Sequence, residues 1–119
     1  MNSRQTGQWA EGLALDYLTD KGLHLVERNF QCRVGELDLV MLDQQILVFV
    51  EVRYRRNDRY GSGLETITFR KQRTLLQAAR FYLLRTPQYA HAASRFDVVS
   101  VGGPNYAPSF QWTRGAFAE

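Results

Sequence analysis

Four charged side chains fall within two short apolar runs of this chain. Glu36 and Asp38 lie in GELDLVML, and Glu51 and Arg53 lie in VFVEVR. The runs are close enough in sequence to fold back on each other as a hairpin. Side chains alternate faces along a strand. In the first run Leu37, Leu39 and Met41 share one face, and Glu36, Asp38, Val40 and Leu42 share the other. In the second, Val48, Val50 and Val52 oppose Leu47, Phe49, Glu51 and Arg53. If both apolar faces join one core, a connection through Gln44-Gln45 sets Asp43 against Ile46, Leu42 against Leu47, Val40 against Phe49, Asp38 against Glu51 and Glu36 against Arg53. A slip of one residue would turn the valines outward, so the parity is strongly specified. Gln-Gln is a poor hairpin turn, because neither residue favours positive φ. A bulge or longer loop would shift the pairing by two and leave Asp38 and Glu51 diagonal, within ~7–8 Å.

Carboxylates facing across a sheet repel unless something compensates. A shared proton, a neighbouring Arg or a divalent cation would each do so. Two strand carboxylates, joined by the Val52 carbonyl, leave room for water and suit Mg²⁺ or Mn²⁺. The alternative is a solvent-facing ladder in which Arg53 neutralises Glu36 and Arg55 helps.

The elements that hold this hairpin can be read from the flanking sequence. Residues 4 to 21 have the spacing of an amphipathic helix, with Trp9, Leu13, Tyr17 and Leu18 on one stripe beside Ala10 and Ala14. Gly22 stops it. Glu11 lies beside the stripe, where a solvated role is the ordinary expectation. Leu23 to Arg33 predicts a strand, and His24 within it carries no motif. After Arg53 comes YRRNDRYGSG, a loop rich in Arg with two tyrosines. Arg55, Arg56 and Arg59 could neutralise phosphates, and Tyr54 and Tyr60 could stack on bases. A solvated connection is the competing reading.

Residues 66 to 85 predict a second helix with Thr68 as its N-cap, Phe69, Leu75, Leu76, Ala79 and Leu83 as its apolar stripe, and Tyr82 flanking it. Arg70, Lys71, Arg73 and Arg80 supply its charge. From Arg53 to Arg73 seven basic residues stand against Asp58 and Glu65, which makes one basic region near the acidic end of the hairpin. Thr86-Pro87 ends the helix. SRFDVVSV, residues 94 to 101, has the continuous apolar character of a central strand, with Asp97 as a paired structural carboxylate. Residues 109 to 113 predict a short edge strand, followed by a terminal turn.

At 119 residues the chain is long enough for one domain with a real core. The net charge is +3, and thirteen of its bases are Arg against two Lys, a modest pointer to nucleic acid. The single Cys32 excludes an internal disulfide and a thiolate metal cluster. No run reaches the length of a membrane span and no apolar leader stands at the N-terminus, so a cytoplasmic location without a membrane partner is expected.

The order helix, three strands, helix, strand, with acidic residues on the second and third strands, resembles the core of the PD-(D/E)xK nuclease superfamily. More closely, the chain resembles the YraN-like family of small bacterial proteins, distant relatives of archaeal Holliday junction resolvases. The matching motifs are Gly7-x-x-x-Glu11, Lys21-Gly22, Arg28-Asn29-Phe30, Gly35-Glu36-Leu37-Asp38-Leu39, Val48-Phe49-Val50-Glu51-Val52-Arg53, Lys71-Gln72 and Arg95-Phe96-Asp97-Val98-Val99. The resemblance implies a single-domain restriction-endonuclease-like α/β fold with a mixed central sheet between helices. It implies Asp38 and Glu51 as Mg²⁺ ligands and Glu11 as a helical glutamate that helps hold the metal or a water. The superfamily's lysine falls at Arg53. Lysine can shed a proton to activate water and arginine effectively cannot, so Arg53 would instead stabilise charge, with Lys71 as a stand-in if it reaches the site.

Three functions follow as expectations. The chain is a Mg²⁺- or Mn²⁺-dependent endonuclease acting on branched or structured DNA, a non-catalytic nucleic-acid-binding module on the same scaffold, or a protein-interaction domain with a structural acidic ladder. Cutting both strands of a junction would favour a symmetric homodimer.

Overall fold

The structure, a computed structural model, describes residues 1–55, 67–104 and 107–117. Its elements are α1 (Ser3–Asp20), β1 (His24–Cys32), β2 (Gly35–Asp43), β3 (Ile46–Tyr54), α2 (Phe69–Arg85), a 3-10 turn (Pro87–Tyr89), β4 (Ser94–Gly102) and β5 (Ser109–Phe117). Short polar signals fix both helix starts. The Asn2 side chain accepts from the Gln5 backbone N–H at 2.9 Å while the Gln5 side chain accepts from the Asn2 N–H at 3.0 Å, a reciprocal capping box. Thr68 caps α2 through the Lys71 N–H at 3.1 Å, as expected. Gly22, at φ 101°, turns the chain out of α1.

The five strands form one mixed sheet in chain order. All neighbours are antiparallel except β3 and β4, which run parallel and are joined through α2. The sheet is covered on both sides by helices, as the resemblance implied. Ala10, Ala14 and Leu18 of α1 pack on Leu39, Met41, Val48, Val50, Val99 and Val101. Leu75, Ala78, Ala79 and Tyr82 of α2 pack on Val40, Leu47, Phe49 and Phe96. Both residue parities of β3 and β4 are apolar because both face a core. Tyr82 is central to the second core, its ring edge-on to Phe30 and Phe49, whereas Phe69, expected in the apolar stripe, is 75% exposed.

Two further differences arise from backbone irregularity. Leu39 and Met41 join the α1 core, yet Leu37, of the same parity, joins the α2 core. The strand therefore turns over around Asp38, and facing it on β1 the ladder skips Asn29, which has a left-handed φ of 56°. At the other edge, the expected short strand and terminal turn are one strand of nine residues, Ser109–Phe117. Gly115, at φ 58°, absorbs a register shift between Phe96 and Val98 and lets pairing continue to Phe117. Among the described residues, no helix is long and apolar enough to cross a membrane.

Candidate functional site

The β2–β3 ladder follows the expected register from Asp43↔Ile46 to Leu39↔Val50, with Gln44 taking the unfavourable φ of 57° that the two-residue turn needs. There it stops. Asp38 and Glu51 are not ladder partners, nor are Glu36 and Arg53, which corrects the expected pairing. Beyond that point β3 keeps its pairing with β4 alone: Glu51 to Tyr54 align with Val98 to Val101. Asp38 fills the gap at the divergence. Its Oδ2 accepts the Val52 N–H at 2.9 Å, and its carboxyl lies within hydrogen-bonding reach of Glu51. The two acids thus meet, though through a splayed ladder.

Three acidic side chains lie along this region, all largely removed from solvent: Glu11, Asp38 and Glu51 are 9%, 8% and 7% exposed. Glu11 is therefore not solvated as expected. It lies on the edge of the α1 stripe that packs on the sheet, with its Oε1 3.7 Å from Arg28 Nε. Arg28 is held in turn by the Gln8 carbonyl, to which Nη2 donates at 3.1 Å. Lys71 Nζ lies 3.6 Å from Glu51 Oε2. Neither ion pair is a hydrogen bond, and both Glu11 Oε1 and Glu51 Oε2 are buried with no hydrogen-bond partner. Burial raises the Glu11 pKa to about 7, helped by the negative charge of Asp38 and opposed by Arg28. Burial likewise drives the Asp38 pKa well above the ordinary carboxyl range, reinforced by the bond to Glu51 and its charge, against the Val52 N–H and Lys71. Glu11 and Asp38 hold protons near neutrality because the negative charges here are dry and crowded.

Arg53 is on the same strand, two residues beyond Glu51. The expected Arg53–Glu36 neutralisation is absent: Gln31 Nε2 donates to Glu36 at 3.3 Å, and among the described residues the Arg53 side chain makes no hydrogen bond or ion pair. Glu36 and Glu11 line a polar cleft of about 290 Å³ between α1 and the β1–β2 edge, together with Arg4, Gly7 and Asn29.

The predicted basic residues divide. Lys71 turns to Glu51, whereas Arg70 and Arg73 line a separate shallow pocket of about 310 Å³ with Phe69, Thr74 and Gln77. Tyr54 is half-buried, edge-on to Trp9 at 5.5 Å between ring centres. Arg55 continues the β3 edge, its N–H donating to the Val101 carbonyl at 2.7 Å. Arg56, Arg59 and Tyr60 lie outside the described residues.

Sequence reasoning overlooked Gly35 as a spacer. A Cβ there would sit 2.7 Å from Thr74 Cγ2, so only glycine lets α2 close on β2, one turn after Lys71. It also overlooked the Arg28 contact to Glu11, which has no local sequence signal because the two residues lie on different elements.

A divalent cation can be tested against these donors. Among the described residues, no group of three His, Cys, Asp or Glu side chains is placed to hold a metal ion. A closed cage of the zinc type therefore does not fit. The paired carboxylates of Asp38 and Glu51 have the oxygen chemistry that Mg²⁺ or Mn²⁺ takes while retaining several waters. The buried, hydrogen-bond-free Glu51 Oε2 is the atom such an ion would satisfy.

The chain matches the model of the family described as "Uncharacterised protein family UPF0102" over residues 10–101, a span from the start of the acidic cluster to the end of β4. A UPF0102 protein of Stutzerimonas stutzeri is 50% identical over 115 residues, 97% of this chain and 96% of that protein. One from Chromohalobacter salexigens is 49% identical over 116 residues, 98% and 93% of the two chains. One from Pseudomonas savastanoi is 46% identical over 115 residues, 96% and 94%.

Proposed function

The chain belongs to the uncharacterised protein family UPF0102, and we propose that it is a divalent-metal-dependent nuclease of PD-(D/E)xK type that hydrolyses phosphodiesters in branched or structured DNA. The observation that carries this reading is the junction of Asp38 with Glu51 where β2 and β3 part, with a buried Glu51 oxygen that has no hydrogen-bond partner. A structural carboxylate does not ordinarily leave such an atom unsatisfied.

Asp38, Glu51 and the Val52 carbonyl would hold Mg²⁺ or Mn²⁺. Bound there, the cation supplies positive charge to the scissile phosphate and acidifies a water. Glu11 faces the same cluster from α1 and positions that water or the metal. Its pKa of about 7 allows it to give up or hold a proton near neutrality. Lys71, across Glu51, neutralises charge on the phosphate, and Arg53, two residues further along β3, adds positive charge beside it. The 290 Å³ cleft beside Glu11 and Glu36 gives a nucleotide room next to the acids. Arg55, Arg56, Arg59, Arg70 and Arg73, with Tyr54 and Tyr60, supply backbone and base contacts around it. Cutting both strands of a junction would need two copies.

A second reading, a non-catalytic nucleic-acid-binding module, is favoured by one observation: arginine rather than lysine follows Val52. A cleavage screen across single-stranded, duplex and four-way-junction DNA, with Mg²⁺ or Mn²⁺, separates them. The nuclease reading expects metal-dependent cutting by the parent and none by Glu51→Ala. DNA binding by both, with no cutting of any substrate, overturns it in favour of the module.

A further inference from the structure

Besides the carboxylates, two polar atoms among the described residues are buried without a hydrogen-bond partner: Arg53 Nε and Ser100 Oγ. They belong to residues that align across the parallel β3–β4 pair. Aligned residues on neighbouring strands point to the same side of the sheet, ~4.8 Å apart. Ser100 is 8% exposed. Its hydroxyl can donate and accept, yet among the described residues it bonds neither Arg53 nor any other group. Leaving a buried hydroxyl and a buried guanidinium N–H unpaired is unfavourable by roughly 1–3 kcal/mol each, more for the charged group. A molecule that only needed a stable strand would have an apolar residue at position 100, as at Val98 two residues before on the same face. On β5, Gln111 aligns with Ser100, extending a polar row across three strands. Along β3, Arg53 lies two residues past Glu51, ~6.6 Å further on the same face. That is close to the spacing of consecutive phosphates in a nucleic-acid strand.

We propose that Ser100 and Arg53 form a phosphate seat, in which the Ser100 hydroxyl and the Arg53 guanidinium donate together to the oxygens of a nucleic-acid phosphate next to the one held at Glu51. An anion fits because both groups are donors and no described carboxylate competes for Arg53. Which phosphate is held rests on the nuclease reading; the existence of the seat does not. Ser100 would be a positioning residue, setting the register of the strand on the site.

The Arg53 Nε–H resonance of the metal-free protein reports the seat directly, by NMR titration with inorganic phosphate and with a short single-stranded deoxyoligonucleotide. Both should shift it saturably, the oligonucleotide at lower concentration. Ser100→Ala, with an otherwise native spectrum, should weaken the oligonucleotide titration about fivefold, the loss of one charge-assisted hydrogen bond. If Ser100→Ala does not fold, Ser100→Cys, which keeps the volume and weakens the donor, carries the same expectation. No saturable shift, an equal titration in the folded variant, or tighter binding of inorganic phosphate than of the oligonucleotide overturns the proposal. Metal binding and cleavage are read separately. A protein that cuts nothing but shows the shift keeps the seat and loses the nuclease reading, and one that cuts DNA without the shift does the reverse.

Discussion

The same sheet carries two buried acidic centres built in opposite ways. Asp97, on β4, is wholly buried and fully engaged: it accepts from Arg95 Nε at 2.9 Å, from Trp112 Nε1 at 2.9 Å and from the Gly115 N–H at 3.0 Å. Arg95 also reaches Asp43 at 2.9 Å, so one guanidinium ties the hairpin end of β2 to β4. Burial alone would lower the Arg95 pKa, but the bonds to Asp97 and Asp43 more than reverse this and hold it above its ordinary value. At Glu11, Asp38 and Glu51 the counter-charges stand at 3.6 and 3.7 Å, beyond hydrogen-bonding distance, and oxygens are left over. Residue type and burial are alike in the two centres. What differs is whether the neighbours complete the carboxylate, and only an incomplete carboxylate has capacity left for a ligand.

The contrast predicts opposite signs for removing each charge. Asp97→Ala strands Arg95, the indole N–H and the Gly115 N–H, and should cost about 3–5 kcal/mol in urea unfolding. Between the extremes stands Gly35→Ala, which drives a Cβ into Thr74 and pushes α2 away from β2. It should destabilise by about 1–3 kcal/mol and lower DNA cleavage further than its stability loss explains, because Lys71 is carried off Glu51.

Asp38→Asn should stabilise the metal-free protein by about 1–2 kcal/mol at pH 8, since the amide still accepts the Val52 N–H without a crowded charge. The sign follows from linkage. The folded state raises the Asp38 and Glu11 pKa values, so between the unfolded values, near 4, and the folded ones it binds more protons than the unfolded chain. The stability this provides is present at low pH and lost as pH rises through about 7 and beyond. The advantage of Asp38→Asn should therefore shrink toward pH 5 in melting curves, and a gain that does not depend on pH would break the comparison. Gln44→Gly touches neither centre. Relieving its left-handed φ should add about 0.5 kcal/mol with metal binding and cleavage unchanged.

Much of this was legible before any coordinates. Alternation in two apolar runs gave the hairpin and its register as far as Leu39↔Val50, and capping and breaker residues gave both helices. The largely apolar run at residues 94–101 gave a central β4. The sheet's second core was less visible, because Val40, Leu47 and Phe49 read equally well as the back of a one-sided hairpin. The divergence at Asp38 was not legible, since it depends on β2 turning over there and on Asn29 adopting a conformation its sequence merely permits. Periodicity alone gave Glu11 a solvated role and only the resemblance pointed it inward, because stripe width, not stripe direction, decides its burial. Ser100 gave no signal, since a serine in a strand is meaningful only once its hydroxyl is seen to lack a partner.

Isothermal titration of the metal-free protein with Mn²⁺ at pH 8, in two buffers of different ionisation heat, tests the central claim most directly. The account predicts saturable binding coupled to proton release, because the ion must displace protons held by the Asp38 and Glu11 carboxyls, with affinity falling toward pH 6 and lost in Glu51→Gln. Absence of saturable binding, or binding that Glu51→Gln leaves intact, would contradict it.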